Sequence, residues 1–316
     1  MKSIAVIGQG FVGGSLTTVF FEKGFDVYAY DKSGRYAPGA RPSRDGLRTH
    51  NPVPGYPKSI AELIEDNEGG KTSGFSNIYF VCLPTPMQDD GSADLSIVEG
   101  ALKELASIPG ERIAVIKSTV PPGSTEKWNM MFAETGLRII FNPEFLTERT
   151  AVDDMRNQNR IILGGPRPWI NVVKQIFGTA FPSAKLIKTS STTAEMVKYL
   201  TNNFLTVKVA FANEMLQICS ALDKNGLNVD YDKVVEYATF DSRIGTSHWN
   251  VPGPDGKLGF GGSCFPKDIN AMICVAQSMD VDPKVLKAAW QKNLEVRPER
   301  DWEKLIGRAI SKKSDD

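Results

Sequence analysis

The chain has 316 residues, with 37 Lys and Arg against 37 Asp and Glu, so no global field draws it to nucleic acid or to an anionic membrane. Its length allows two domains, its 41% hydrophobic share is that of a globular protein, and no apolar run approaches a membrane span. Cys82, Cys219, Cys264 and Cys274 form no C-x-x-C pair, and with only His50 and His248 beside them no structural metal site is expected. Reduced thiols in a cytoplasmic protein are the simpler reading.

In chain order, "MKSIAVIGQGFVGG" reads as a first core strand broken by glycines, not as a secretion signal. Apolar runs at Ile4–Ile7, Val27–Tyr30, Ile78–Leu83, Ile113–Ile116, Ile139–Phe141 and Ile161–Leu163 lack polar alternation, as strands covered on both faces do. Helical stretches between them make βαβ units, and the fold class expected is α/β, a doubly wound Rossmann-type parallel sheet. The proline- and glycine-rich stretch from Ser33 to Pro57 reads as a loop. From Thr193 to Lys224 the apolar residues Met196, Leu200, Phe204, Val207, Phe211, Met215, Ile218 and Leu222 step by three or four, which predicts one long amphipathic helix. The chain therefore divides into a sheet domain, residues 1–190, and a helical domain, residues 191–316, built on that helix. Two further helices are expected, from Lys267 to Met279 and from Pro283, and Pro298–Lys313 is expected to be a helical tail.

"GQGFVG" sets Gly8, Gly10 and Gly13 in G-x-G-x-x-G order between a strand and a helix. That context suits a pyrophosphate on the helix amino terminus, with Phe11 and Val12 opening the helix. The second strand ends at Asp31, about where a carboxylate binds the two ribose hydroxyls of a dinucleotide. A carboxylate there repels a 2′-phosphate, so the cofactor expected is NAD rather than NADP.

Other polar segments fall just past strands: "LPTP" with Pro84 and Thr85, "KSTVPPGS" with Ser118 and Thr119, and "NPEFLTE" with Glu144, Phe145, Leu146 and Glu148. In a parallel sheet such positions line the ligand crevice. Lys198 and Asn202, four apart, share one face of the long helix. "KLGFGGSCFPKD" puts Cys264 after Gly259, Gly261 and Gly262 and before Lys267 and Asp268. A glycine-flanked cysteine taken alone is more often structural than reactive.

Together, "LPTP", "STVPPG", "NPEFLTE", the K-x-x-x-N helix, "DSRIG" (Asp241–Gly245) and "GFGGSCFPKD" resemble the UDP-glucose/GDP-mannose dehydrogenase family, in order from residue 1 to about 295. The resemblance implies NAD-dependent, four-electron oxidation of the primary alcohol of a nucleotide sugar, such as UDP-glucose to UDP-glucuronate, through a thiohemiacetal and a thioester on Cys264. It implies that Lys198 and Asn202 stabilise the oxyanion, Asp268 and Thr119 hold or activate water, and Glu148 is the hydrolytic base. Glu144, Phe145, Leu146, Arg243, Gly261 and Lys267 would contact the substrate. Gly8, Gly10, Phe11, Val12, Gly13, Asp31, Pro84, Thr85, Ser118 and Thr119 would hold NAD. A homodimer through the long helix is expected, with no nucleic-acid or membrane partner. Cys82, Cys219 and Cys274 are read as core.

Three departures stand out. Arg149 follows Glu148 where the family has glycine, "HWNVPGPDGK" (His248–Lys257) is an addition before the glycine run, and the sequence stops where the family continues into a second Rossmann-like domain. Competing readings are oxidation of another nucleotide sugar, a two-electron β-hydroxyacid dehydrogenase, and a catalytically idle nucleotide-sugar binder. The cysteine loop argues against the second, and the retained reactive residues against the third.

Overall fold

A computed structural model describes residues 2–41, 56–68 and 77–312. The chain forms two compact units, Met1–Thr85 with Leu95–Lys198, and Pro86–Asp94 with Tyr199–Asp316. Among the described residues no helix is long and apolar enough to cross a membrane.

The first unit is built on one sheet. Its strands are β1 (Lys2–Ile7), β2 (Phe25–Tyr30), β3 (Ala40–Arg41), β4 (Ile78–Val81), β5 (Arg112–Ile116), β6 (Leu137–Phe141), β7 (Arg160–Gly164) and β8 (Lys185–Thr189). They lie in the order β3-β2-β1-β4-β5-β6-β7-β8. The first six are mutually parallel, β7 pairs antiparallel with β6, and β8 runs parallel to β7. Helices α1 (Phe11–Glu22), α2 (Ile60–Glu68), α3 (Ser96–Ser107), α4 (Ser124–Met131), α5 (Ala151–Arg156) and α6 (Trp169–Ala180) lie between the strands.

Successive strand residues point to opposite faces, and both faces are dry. Ile4, Val6, Val27, Ile78, Phe80, Ile113 and Val115 pack with Leu16, Val19 and Phe20 of α1 and Val173, Ile176 and Phe177 of α6. Ala5, Ile7, Tyr79, Val81, Ala114, Ile116, Ile139 and Phe141 pack with Leu63, Leu102, Leu105 and Trp128 of α2, α3 and α4. Two-sided burial is why these strands read as continuous apolar runs.

The register matters more for function. Ile7 lies opposite both Tyr30 and Val81, Val81 opposite Ile116, and Ile116 opposite Phe141. Five strands therefore end level, and the residues that follow, Gly8, Asp31, Cys82, Lys117 and Asn142, form one row along the carboxyl edge.

Helix α7 runs Ser191–Lys224, two residues earlier than its periodicity predicts, and continues through the boundary between the units. The second unit adds α8 (Tyr231–Ala238), α9 (Phe265–Ser278) and α10 (Lys284–Val296). Its core gathers Ala210, Phe260, Ile269 and Ala289, with Phe265, Ile273, Leu286 and Trp290 packed against them.

Three elements differ from expectation. β8, "KLIKT", carries exposed lysines at 185 and 188, as an edge strand does, and so shows no apolar run. The two-residue β3 interrupts the expected loop from Ser33, whose residues 42–55 lie outside the described part. The expected tail helix is instead one 3-10 turn, Asp301–Lys304, then a turn bridged between Ile306 and Ile310. In that turn Ala309 accepts from the Met87 amide, and Ser311 donates to Met87. The helical pattern there is an accident of spacing over a segment that bonds to another stretch of chain.

One buried carboxylate ties α7 to α4 within the first unit. Glu195 accepts from the amides of Gly123 and Thr125, at 2.6 and 2.9 Å, and from the Thr125 hydroxyl at 2.6 Å. It caps α4, whose own N-cap residue, Gly123, has no side chain to do so. Glu195→Ala strands these donors and is expected to lower the stability of the first unit by about 2–4 kcal/mol, read as a lower urea midpoint.

Candidate functional site

The glycine turn leaves β1 with Gly8 at φ +90°. A Cβ on Gly8 would fall 2.4 Å from the Cys82 carbonyl oxygen, and one on Gly13 1.9 Å from that of Gly8, so packing dictates both. At Gly10 a Cβ would meet nothing within 4 Å. Open space therefore stands over the amino end of α1, which has no side-chain cap and no acidic residue in its first turn. Its unbonded amides and positive end suit a pyrophosphate.

Asp31 lies beside this turn. Its Oδ2 accepts from the Gln9 amide at 2.6 Å and its Oδ1 from the Ser33 amide at 2.8 Å. Partial burial opposes its charge, but hydrogen bonds from Ser33 and Gln9, with Arg35 nearby, hold the carboxyl below its usual range. An anion at the end of β2 fits the ribose of NAD. Phe11 and Val12 are half-buried at the start of α1.

Past β4 and β5 hydroxyls continue the ladder. The Ser118 hydroxyl donates to the Leu83 carbonyl at 2.6 Å and accepts from the Leu83 amide at 3.0 Å. The buried Thr85 hydroxyl donates to the Thr119 carbonyl at 2.7 Å. These bonds fix the backbone of the expected cofactor-contacting segments, leaving Pro84 exposed and Thr119 buried.

The next strand ends carry charge. Lys198 on α7 donates to the Glu144 carbonyl at 2.8 Å and to its carboxylate at 2.9 Å, with both residues buried. The other oxygen of Glu144 accepts from the Leu146 amide at 2.7 Å. Burial would raise the Glu144 carboxyl, but the charge and hydrogen bond of Lys198, the Leu146 amide and the Lys117 charge hold it below its usual range. The Lys198 ammonium also lies 5.7 Å from the centre of the half-buried Phe145 ring. Glu148, expected as a base, is exposed with Arg149 just before α5. The carboxylate brought against Lys198 is Glu144.

Lys117 and Asn142 lie inside "KSTVPPGS" and "NPEFLTE", where sequence spacing alone assigns them no role. Lys117 donates to Asn142 Oδ1 at 2.8 Å, and Asn142 donates to the Ile162 carbonyl at 2.8 Å, which links β5, β6 and β7. Burial pushes the Lys117 ammonium down to about 8, against the pull of Cys82 and Glu144. A lysine directly after a fully apolar strand is the available signal, because its ammonium starts inside the core.

In the second unit Cys264 is the residue immediately before α9, with Pro266 in the first turn. The positive end of a helix favours an anionic sulfur there. One turn on, the buried Asp268 accepts from the Asn202 amide of α7 and forms an ion pair with Lys267 at 2.6 Å. The Ser263 hydroxyl lies 3.9 Å from the sulfur. Gly261 is half-buried in the loop before it. Arg243 is exposed and bonds Asp241 through its Nε and Nη2.

The other cysteines are poorly suited to attack. Burial pushes the Cys82 thiol up to about 12 despite Lys117, burial and Asp90 raise that of Cys274, and Cys219 is buried on α7.

A strand–glycine turn–helix with a carboxylate after the second strand, on a sheet of this order, defines a dinucleotide-binding protein. Residues 2–180 match the NAD-binding domain of the UDP-glucose/GDP-mannose dehydrogenase family and residues 192–295 match its central domain. The chain belongs to that family of NAD-dependent oxidoreductases. It is 34% identical to the UDP-glucose 6-dehydrogenase AglM of Haloferax volcanii, over 94% of this chain and 70% of the relative. It is 32% identical to the UDP-glucose 6-dehydrogenase TuaD of Bacillus subtilis, over 93% of this chain and 63% of that one. Among solved structures, a UDP-glucose dehydrogenase from Pyrobaculum islandicum superposes with a TM-score of 0.72 at 29% identity, over 96% of this chain and 70% of that one. The chain thus spans about two thirds of the length of these relatives.

The depressed Lys117 yields a test. Between about pH 8 and 10.5 the unfolded lysine holds its proton and the folded one has lost it. Stability therefore rises with pH across that window. Lys117→Met is expected to flatten the rise, which urea titrations at pH 7.5, 9 and 10 would show.

Proposed function

We propose that the chain oxidises the primary alcohol of a nucleotide sugar to the carboxylate in two steps, with UDP-glucose as substrate and Cys264 as nucleophile. The observation that carries this reading is the placement of Cys264 alone, among the four cysteines, at a helix amino terminus, with the buried Asn202 and Asp268 and the half-buried Lys267 about one turn away. The relatives named UDP-glucose 6-dehydrogenase support the choice of sugar.

NAD, held at the glycine turn and Asp31, would supply the hydride acceptor for both oxidations. The protein's own residues do the rest. Once the alcohol is an aldehyde, the Cys264 thiolate adds to its carbon, and the carbonyl π pair becomes an alkoxide. Lys198 and the Asn202 amide stabilise that charge, a role worth about 3 kcal/mol per donor. After the second oxidation the sulfur carries a thioester, which water attacks; the C–S bond breaks and the thiolate returns. The sum is RCH2OH + 2 NAD⁺ + H2O → RCOO⁻ + 2 NADH + 3 H⁺. Glu144 keeps Lys198 charged and oriented, and we assign to it, rather than to the exposed Glu148, the carboxylate at the reacting centre.

An NADH-coupled screen over UDP-glucose, UDP-N-acetylhexosamines and GDP-mannose tests this reading. Two NADH per UDP-glucose are expected; one, or none with any sugar, sinks it. Cys264→Ser is expected to stop turnover before the carboxylate forms. Glu144→Gln is expected to lower kcat about 100-fold, and Glu148→Gln only a few-fold.

A homodimer is part of the same proposal. Leu200, Phe204, Phe211, Ile218 and Leu222 lie exposed at helical spacing along α7, Leu200 at 68% and Phe204 at 64%. A stripe of that kind marks an association surface. Sedimentation of the wild type as a dimer and of Leu200→Glu/Phe204→Asp as a monomer is expected.

A further inference from the structure

Within the second unit, the loop that delivers Cys264 to α9 is held by side chains from α7 and α10. The Gly259 amide donates to Asn213 Oδ1 at 3.1 Å. The Phe260 amide donates to Asn293 Oδ1 at 2.6 Å, and the Asn293 amide returns a bond to the Phe260 carbonyl at 3.0 Å, so this side chain pairs with the loop as a strand would. Arg297 donates to the Leu258 carbonyl at 3.1 Å. All three side chains are buried.

A buried guanidinium needs carboxylates, and Arg297 has two. Its Nε meets Asp301 at 2.6 Å, and its Nη2 meets Asp301 at 3.1 Å and Asp255 at 2.7 Å. The hydrogen bond from Arg297 holds the Asp301 carboxyl below its usual range, and the Gly262 amide adds to the effect. Asp255 lies in the added segment 248–257, which closes on itself through the Gly253 amide and the Lys257 carbonyl at 2.7 Å. The glycines fit this arrangement. A Cβ on Gly259 would fall 2.4 Å from Asn293 Oδ1, and one on Gly261 2.4 Å from Arg297 Nη2.

We propose that Asn293 and Arg297, with Arg297 clamped between Asp301 and Asp255, are positioning residues that lock the Leu258–Gly262 backbone and so fix where Cys264 enters α9. The added segment completes this clasp by supplying the second carboxylate. These groups act through the loop. The proposal rests on Cys264 being the nucleophile. Displacement of a reacting group by about 1 Å costs on the order of 100-fold in rate, so a loosened loop is read in kcat.

Asp255 is the cleanest handle, since its side chain is 48% exposed and bonds Arg297 from outside the core. Asp255→Asn, Arg297→Lys and Arg297→Met would be compared with the wild type by hydrogen exchange and by UDP-glucose turnover. Expected are at least tenfold faster exchange at the amides of 258–262 with the first unit unchanged, and kcat lowered about 10- to 100-fold. KM for NAD should stay constant, and Arg297→Lys should retain more activity than Arg297→Met. If Arg297→Met fails to fold, Asp255→Asn decides. Wild-type exchange at 258–262 in Asp255→Asn overturns the clasp even where Cys264→Ser is dead. A loosened loop with unchanged kcat overturns the positioning role. Full turnover in Cys264→Ser removes the nucleophile and with it the positioning claim, while the exchange data still report the brace.

Discussion

A cation inside a protein must be given partners or lose its charge, and three such cations brace the loops of this chain. Lys198 is held by Glu144, Lys117 by Asn142, and Arg297 by Asp255 and Asp301. Lys117 and Arg297 sit just past the ends of β5 and α10 and Lys198 inside α7, and each spends its donors on backbone carbonyls or on side chains that fix backbone. Lys198 reaches the carbonyl of Glu144 as well as its carboxylate, and Arg297 reaches that of Leu258. Loops that contact a substrate cannot be stabilised by packing over the face the substrate needs. They are held from behind, by charge that burial makes directional.

The sheet was legible because two-sided burial writes itself as apolar runs, and six of eight strands announce themselves that way. β8 did not, because an edge strand carries lysines. The glycine motif, Asp31 and Cys264 were legible because they are defined by spacing along the chain. Lys117, Asn213, Asn293 and Arg297 were not. A polar residue on a helix looks the same in sequence whether it faces water or a loop, and only folding shows that Asn293 and Arg297 face inward. The different surroundings of Glu144 and Glu148 were hidden for the same reason: the two carboxylates are four residues apart, and only folding buries the first and exposes the second.

The glycine run before Cys264 takes on a second meaning. From sequence, the family resemblance puts Gly261 against the substrate. In the fold, Gly259 and Gly261 make room for Asn293 and Arg297, while a Cβ on Gly262 would meet nothing within 4 Å. Part of this glycine richness thus serves the protein's own side chains, and Gly262, at φ +72°, serves the turn of the backbone.

The segment Pro86–Asp94 groups with the second unit although both its neighbours in sequence belong to the first. Its Met87 exchanges backbone hydrogen bonds with Ala309 and Ser311 near the end of the described chain. The polypeptide therefore passes between the units at three places: after Thr85, after Asp94 and after Lys198. A single protease nick in any one of them leaves the halves joined by two covalent threads. A recombinant fragment begun at α7 would lack the short strap that its own carboxyl-terminal stretch is built to receive.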